Sequence, residues 1–383
     1  MSKAVRPRHR LAPVYADDLL APWHEQVMRL LPSLSVFDAH THIGANDPDG
    51  FTCSPDELLA ALAPTKSRAV VFPMHEPDGY APANDEVMRV AAESAGRLVA
   101  FCRVNPHDEP VAEVRRCLAL GARGIKLHPR AERFAMLEPS VREIVAIAHE
   151  ERRPILIHAG RGIPALGSQV LALAREHPHA SFILAHAGVS DLAWIWEHIA
   201  DHPNVFFDTA WYSAADLRAL FALVPPGQVL YATDIPYATP AQAMIVVFRT
   251  ALQAGLGAEQ LECVAGAQLE RLVNGEEPLD VGPALGAATL GNDPLLDRVH
   301  YYLICAFATM INGIEPTEFF ELTRLACHVG DDAPQAAICR SVVELLDLCA
   351  ELAPGETLPE RLPRVHLIVV AASLAATPDV AIG

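Results

Sequence analysis

Histidines and acids stand at the ends of short apolar runs spread along the chain. SVFDAHTH ends in His40 and His42, GIKLHP carries Lys126 and His128, PILIHAG reaches His158, SFILAHAG reaches His186, and VLYATDIP reaches Asp234. Neutral imidazoles and a carboxylate are the donors of a three- or four-ligand nitrogen and oxygen cage for Zn²⁺ or a similar divalent ion. His40 and His42 are two apart, so on one strand they face the same side. Taken singly, a histidine at a strand end is a hydrogen-bonded structural residue more often than a ligand. His107, His177, His179, His198 and His202 read as residues of loops or helix surfaces. The weight lies in the set, because five separate apolar runs deliver imidazole, ammonium or carboxylate.

Residues so far apart in sequence act together only if the fold gathers the ends of those runs. The apolar runs cover 35–40, 69–74, 98–104, 124–128, 154–158, 181–186, 204–209 and 229–234. Their hydrophobicity is continuous rather than alternating, as a strand buried on both faces requires, which points to a parallel sheet covered by helices. Amphipathic segments lie between and after them, at 55–63, 84–95, 111–120, 139–152, 166–177, 190–201, 213–222 and 240–254. Several open on a helix-start signal, as at Ser54-Pro55, Glu138-Pro139 and Thr239-Pro240. Eight strand–helix units in unbroken alternation predict an α/β fold, a (β/α)₈ TIM barrel over 35–275 with an all-helical C-terminal appendage. All strand C-termini of such a barrel open on one face, and that face is where its chemistry sits.

Around the barrel, residues 1–34 read as a helical extension with one helix near 17–31, and 258–274 as a closing helix stopped at Asn274-Gly275. A linker at 276–294 leads to a helical region at 295–383, with helices predicted over 295–311, 316–328, 334–352 and 359–374. Their apolar stripes must be covered by the barrel or by a second copy, and a homodimer is the expected assembly. The formal charge of −18 repels phosphate backbones, so nucleic acid is excluded as a general partner. A small-molecule substrate, an anionic one included, responds only to the charge inside the pocket. The N-terminus lacks the apolar core of a secretory signal, and the longest apolar run, near Val365 to Ala372, is too short to span a membrane. The eight cysteines form no C-x-x-C pair and read as small reduced core residues of a cytoplasmic protein.

The ordered set D-A-H-T-H-I-G, G-I-K-L-H-P, I-H-A-G, A-H-A-G and A-T-D-I-P resembles the amidohydrolase superfamily, in its amidohydrolase-related branch, over roughly 35–275. The resemblance implies a metal-dependent enzyme in which a metal-activated water attacks a carbonyl or similar centre; the branch also holds non-oxidative decarboxylases and hydratases. It makes His40, His42, His158 and Asp234 the metal ligands. Asp234 also takes the proton of the water, and His186 polarises the substrate or shuttles a proton. Lys126 is either a carboxylated bridge between two metals or a cation facing the pocket; one ion is expected, zinc before manganese, cobalt or iron. Asp38 is read either as a residue orienting a ligand or as an ordinary strand-end acid. His128, Arg130, Arg161 and Trp211 are candidate substrate contacts, with Met74, His75, Glu76 and Tyr212 as weaker ones. Arg161 lies in Gly160-Arg161-Gly162 ahead of a helix, a setting suited to a carboxylate or phosphate. Hydrolysis of a C–N or C–O bond is the leading expectation. Decarboxylation of a small carboxylic acid is the alternative, and a barrel that binds without catalysing is the third.

Overall fold

The computed structural model describes residues 16–287 and 291–382. Eight strands run parallel in the order of the sequence: β1 (Phe37–Ile43), β2 (Arg68–Pro73), β3 (Leu98–Arg103), β4 (Gly124–Leu127), β5 (Pro154–Ile157), β6 (Ser181–Leu184), β7 (Val205–Asp208) and β8 (Val229–Leu230). The helices are α1 (Asp17–Leu30), α2 (Pro55–Leu62), α3 (Ala81–Glu93), α4 (Pro110–Ala119), α5 (Pro139–Glu150), α6 (Leu166–Glu176), α7 (Leu192–Ile195), α8 (Ala214–Leu223), α9 (Pro240–Ala254), α10 (Ala258–Glu262), α11 (Gln268–Asn274), α12 (Pro294–Ile311), α13 (Thr317–Ala326), α14 (Ala336–Glu351) and α15 (Leu358–Ala376). This is the predicted TIM barrel with C-terminal helices. The first fifteen residues of the expected N-terminal extension lie outside the described residues, as do 288–290 of the linker.

Strand residues are buried from both sides. Phe37, Val70, Phe72, Phe101, Leu156, Ile183, Phe206 and Leu230 form one apolar cluster, while their neighbours along each strand pack outward against the helices. Gly124 belongs to this packing, because a Cβ there would stand 2.5 Å from the Phe101 ring. Helix starts follow local chemistry. Ser54 accepts the amide of Glu57, Thr239 that of Gln242, and Thr357 that of Glu360, each just ahead of a proline-containing first turn.

The barrel closes between β1 and the segment after β8. Ala39 N donates to Tyr231 O (2.9 Å), Asp234 N to His40 O (2.8 Å) and His42 N to Ile235 O (2.8 Å). Asp38 reinforces this seam from within: its carboxylate accepts the amides of His40 (2.9 Å) and Thr233 (3.1 Å) and the Thr233 hydroxyl (2.6 Å).

Three expected elements take a different form. The segment expected as one helix over 190–201 is short α7 followed by a 3₁₀ stretch at Trp196–Asp201. The expected closing helix 258–274 is broken at Cys263–Ala267, where Val264 O accepts the Tyr231 amide (2.8 Å) and Gly266 approaches Phe37 too closely for a side chain. The eighth strand is shorter than 229–234, because beyond Leu230 the Thr209 hydroxyl, not a β7 carbonyl, receives the Ala232 amide (3.0 Å).

The four C-terminal helices pack on one another and dock on the barrel through α15. α15 lies against α8, α9, α12 and α14 and is buried from Val365 to Ala376. Buried Arg249 of α9 ties down the segment after α15, donating to Thr377 O (3.1 Å), Val380 O (2.9 Å) and the Thr377 hydroxyl (3.0 Å). Among the described residues no helix is long and apolar enough to cross a membrane.

Candidate active site

The C-terminal ends of the strands open into a cavity of about 470 Å³, bordered by His40, His42, Lys126, His158, His186 and Asp234. A larger cavity of about 540 Å³ lies among Ser181, Asn204, Gly227 and Gln268, ahead of the strands. It is at the wrong mouth of the barrel for catalysis.

β1 delivers His40 and His42 side by side. His40 Nε2 stands 3.2 Å from His42 Nε2 and 3.1 Å from Asp234 Oδ1, which is itself 3.0 Å from His42 Nε2. Three donor atoms from two edges of the seam thus form a triangle. Burial holds both imidazoles well below their usual range, and the Lys126 charge adds to it. They are therefore neutral, the form that ligates a metal. On its far side His40 Nδ1 meets Asp208 Oδ2 at 2.8 Å. With the proton on Nδ1, the Nε2 lone pair faces the triangle, the carboxylate–histidine arrangement of metal sites. Asp208 Oδ1 accepts the amides of His186 (2.8 Å) and Ala210 (3.1 Å), so its place is fixed by backbone. Burial pushes its carboxyl up to about 7 against those donors and Lys126.

His186 brings a ligand atom into the same neighbourhood: one atom each from His40, His186 and Asp234 lies within 4.8 Å of the others. Its Nδ1 is 2.9 Å from Ala210 O and its Nε2 is 3.0 Å from His158 Nδ1. His158 therefore stands one ring further out, stacked on His128 at 3.8 Å, with a buried Nε2 that has no partner. Of the four ligands implied by the family resemblance, the structure gathers His40, His42 and Asp234 and sets His158 behind His186.

Of Asp38, Asp208 and Asp234, the last is the one that borders the cavity. Its side chain is 17 % exposed, whereas Asp38 and Asp208 are fully buried. Burial raises it to about 7, with His186 and Lys126 pulling the other way. Lys126 is fully buried, with its Nζ 3.4 Å from His40 Nε2 and 4.9 Å from the Phe72 ring centre, and burial lowers it to about 7.

The remaining candidates separate by place. His128 and Arg130 border the polar cavity, with Met74 and His75. Trp211 and Tyr212 border a neighbouring apolar one. Arg161 is exposed, its guanidinium 5.4 Å from the Trp211 ring centre. Three residues of the site escaped the sequence reading. Asp208 ends β7 as VFFD, the signal that marked Asp234. Buried Arg103 of β3 lines the cavity and pairs with Glu132 at 2.7 Å, while Tyr80 donates to the same carboxylate at 2.5 Å. Tyr237 donates to Asp47 at 2.6 Å.

The profile of the family described as Amidohydrolase matches residues 37–267. No curated protein matches the sequence. Among solved structures, 5-carboxyvanillate decarboxylase from Sphingomonas paucimobilis aligns with TM-score 0.50 at 16 % identity, covering 63 % of this chain and 99 % of that one. A 2,6-dihydroxybenzoate decarboxylase from Rhizobium aligns with TM-score 0.51 at 14 % identity, over 63 % and 99 %. A probable 2-pyrone-4,6-dicarboxylic acid hydrolase from Acinetobacter baumannii, solved with citric acid bound, aligns with TM-score 0.50 at 12 % identity, over 63 % and 100 %. At these identities the likeness is one of fold. The family profile spans more than half of the sequence and contains the triangle and its supports, and the chain belongs to the amidohydrolase family of metal-dependent enzymes.

Proposed function

We propose that the protein hydrolyses a C–N or C–O bond of a small carboxylate-bearing molecule, with one divalent ion, zinc, held by His40, His42, His158 and Asp234. The observation that carries this reading is the triangle of His40 Nε2, His42 Nε2 and Asp234 Oδ1. Atoms bound at 2.0–2.1 Å to one tetrahedral ion lie about 3.3 Å apart, and the sides here are 3.0 to 3.2 Å. His158 enters as the fourth ligand on the family resemblance; its Nδ1 meets His186 and its unpartnered Nε2 lies against Gly160, so its ring must turn to reach the ion. When bound, the ion supplies a Lewis acid that acidifies water and polarises the scissile bond.

The chain's own groups do the rest. Asp234, reachable from the cavity and raised to about 7, accepts a proton from water and returns it to the leaving group. His186, whose Nδ1 donates to Ala210 O and whose ring stands beside Asp234, polarises the substrate or relays a proton. Lys126 remains an unmodified amine in this one-ion reading, its Nζ 3.4 Å from His40 Nε2. Its amine, with Arg130 across the cavity, offers a substrate carboxylate a cationic wall, while the Arg103 charge is taken by Glu132.

That same wall favours a second reading, decarboxylation, with Asp234 protonating the carbon that loses CO₂. Turnover of a panel of amides, lactones and aryl acids in ¹⁸O-water separates the two. Label in the product supports hydrolysis, and CO₂ release without label supports the alternative. Substitution of His40, His42 or Asp234 by Ala is expected to abolish turnover and most bound metal. His158→Ala should also lose metal, whereas His186→Ala should keep it. Full metal occupancy in the His40→Ala, His42→Ala double variant, or a CO₂ mass increment on Lys126, contradicts the assignment.

A further inference from the structure

We infer that the C-terminal helices wall a second, apolar chamber of the active site, sized for one aromatic ring, so that the substrate joins a carboxylate to such a ring. The polar half of this inference rests on the function proposed above. A cavity of about 200 Å³ shares His186, Asp234 and Tyr237 with the polar one. Its other walls include Trp211 and Val247 from the barrel, and Ile311, Leu358, Leu362 and Val365 from α12 and α15. An apolar cavity of roughly 150 Å³ accepts benzene, so this chamber of about 200 Å³ has room for a ring.

Gln242 borders the chamber and is 1 % exposed, yet its Oε1 has no partner. A buried acceptor left open beside an apolar cavity is costly unless an occupant brings a donor, so a ring bearing a hydroxyl or amine suits it. A substrate lying across His186, Asp234 and Tyr237 would place its reacting bond at the triangle, its carboxylate toward Lys126 and its ring under α15. The four tail residues lie outside the stretch matched by the family profile, 37–267. The ring selectivity they create is this chain's own.

The test uses the full-length, Zn²⁺-loaded protein with toluene, phenylacetate and acetate as probes. Toluene is expected to bind saturably, and phenylacetate about tenfold or more tightly than acetate. Ile311→Phe and Leu358→Trp, both at half-buried positions, should each weaken toluene and phenylacetate about tenfold while acetate binding and metal content stay at wild-type values. Absence of saturable toluene binding, or indifference of both aromatic probes to both variants, overturns the chamber. Toluene binding without any advantage of phenylacetate over acetate overturns the two-part substrate. If both aromatic probes bind as expected yet the Zn²⁺-loaded protein hydrolyses no amide or ester that carries a ring and a carboxylate, the function proposed above fails while the chamber stands.

Discussion

At Asp208 two duties meet in one carboxylate. One oxygen takes the Nδ1 proton of His40, and the other receives the amides of His186 and Ala210. Asp208→Asn keeps the shape but can present an N–H to His40 Nδ1, which drives the imidazole proton to Nε2 and removes the lone pair from the triangle. Metal affinity, read by competition with a chelator, should fall about 10–100-fold, with little change in thermal stability of the metal-free protein. Unchanged affinity would show that Asp208 does not set the tautomer. Asp208 was legible in principle, since an acid closing an apolar strand is the pattern that exposed Asp234. Arg103 was not, because it sits inside the apolar run LVAFCRV, and nothing local shows that Glu132, some thirty residues on, neutralises it. His186 and His158 were both visible as histidines at strand ends, but which one stands nearer the triangle depends on ring rotations that sequence does not encode.

On the scale of elements, α15 carries a titratable group into the core. His366 is fully buried, its Nε2 3.2 Å from Tyr237 O and its Nδ1 without a partner, and burial lowers it to about 4. Between the ordinary value of 6.5 and 4, the unfolded chain takes up a proton that the folded chain refuses, so stability falls as pH drops through that window. At about pH 5.5 the loss from this group is on the order of 1–1.5 kcal/mol relative to about pH 7. Urea unfolding should show the wild type losing about that much more than His366→Gln between those two pH values; equal losses would remove His366 as the cause. Element boundaries were readable where one physical signal dominated. Strands buried on both faces and helices opened by Ser-Pro, Glu-Pro or Thr-Pro fall within a few residues of expectation. The broken closing helix was not readable, because its cause is tertiary: Tyr231 claims the Val264 carbonyl, and Gly266 must pass close to Phe37.

For the molecule as a whole, the helical periodicity of 295–383 shows which faces are apolar but not what they meet; here they meet one another, and α15 seats the group on α8 and α9. α9 is buried along nearly its entire length, including Met244, Ile245, Val246, Val247 and Phe248. Each such side chain returned to water costs roughly 1.5–3 kcal/mol, and a few of them together rival the roughly 5–15 kcal/mol that holds a domain folded. A chain ending at residue 280 should therefore aggregate on sedimentation, even though it retains every group assigned to the metal. A soluble monomer with full metal content would show that the barrel stands without its tail. The seam that closes the barrel has a consequence of its own. The hydrogen bonds that join the first strand to the last come from Ala39, His40, His42, Tyr231, Asp234 and Ile235, and three of these residues carry the triangle. The weld of the barrel and its reaction centre are one stretch of peptide. An ion clasped there would span both lips of the joint, adding to the backbone bonds that hold the cylinder shut, so the catalyst would double as a rivet.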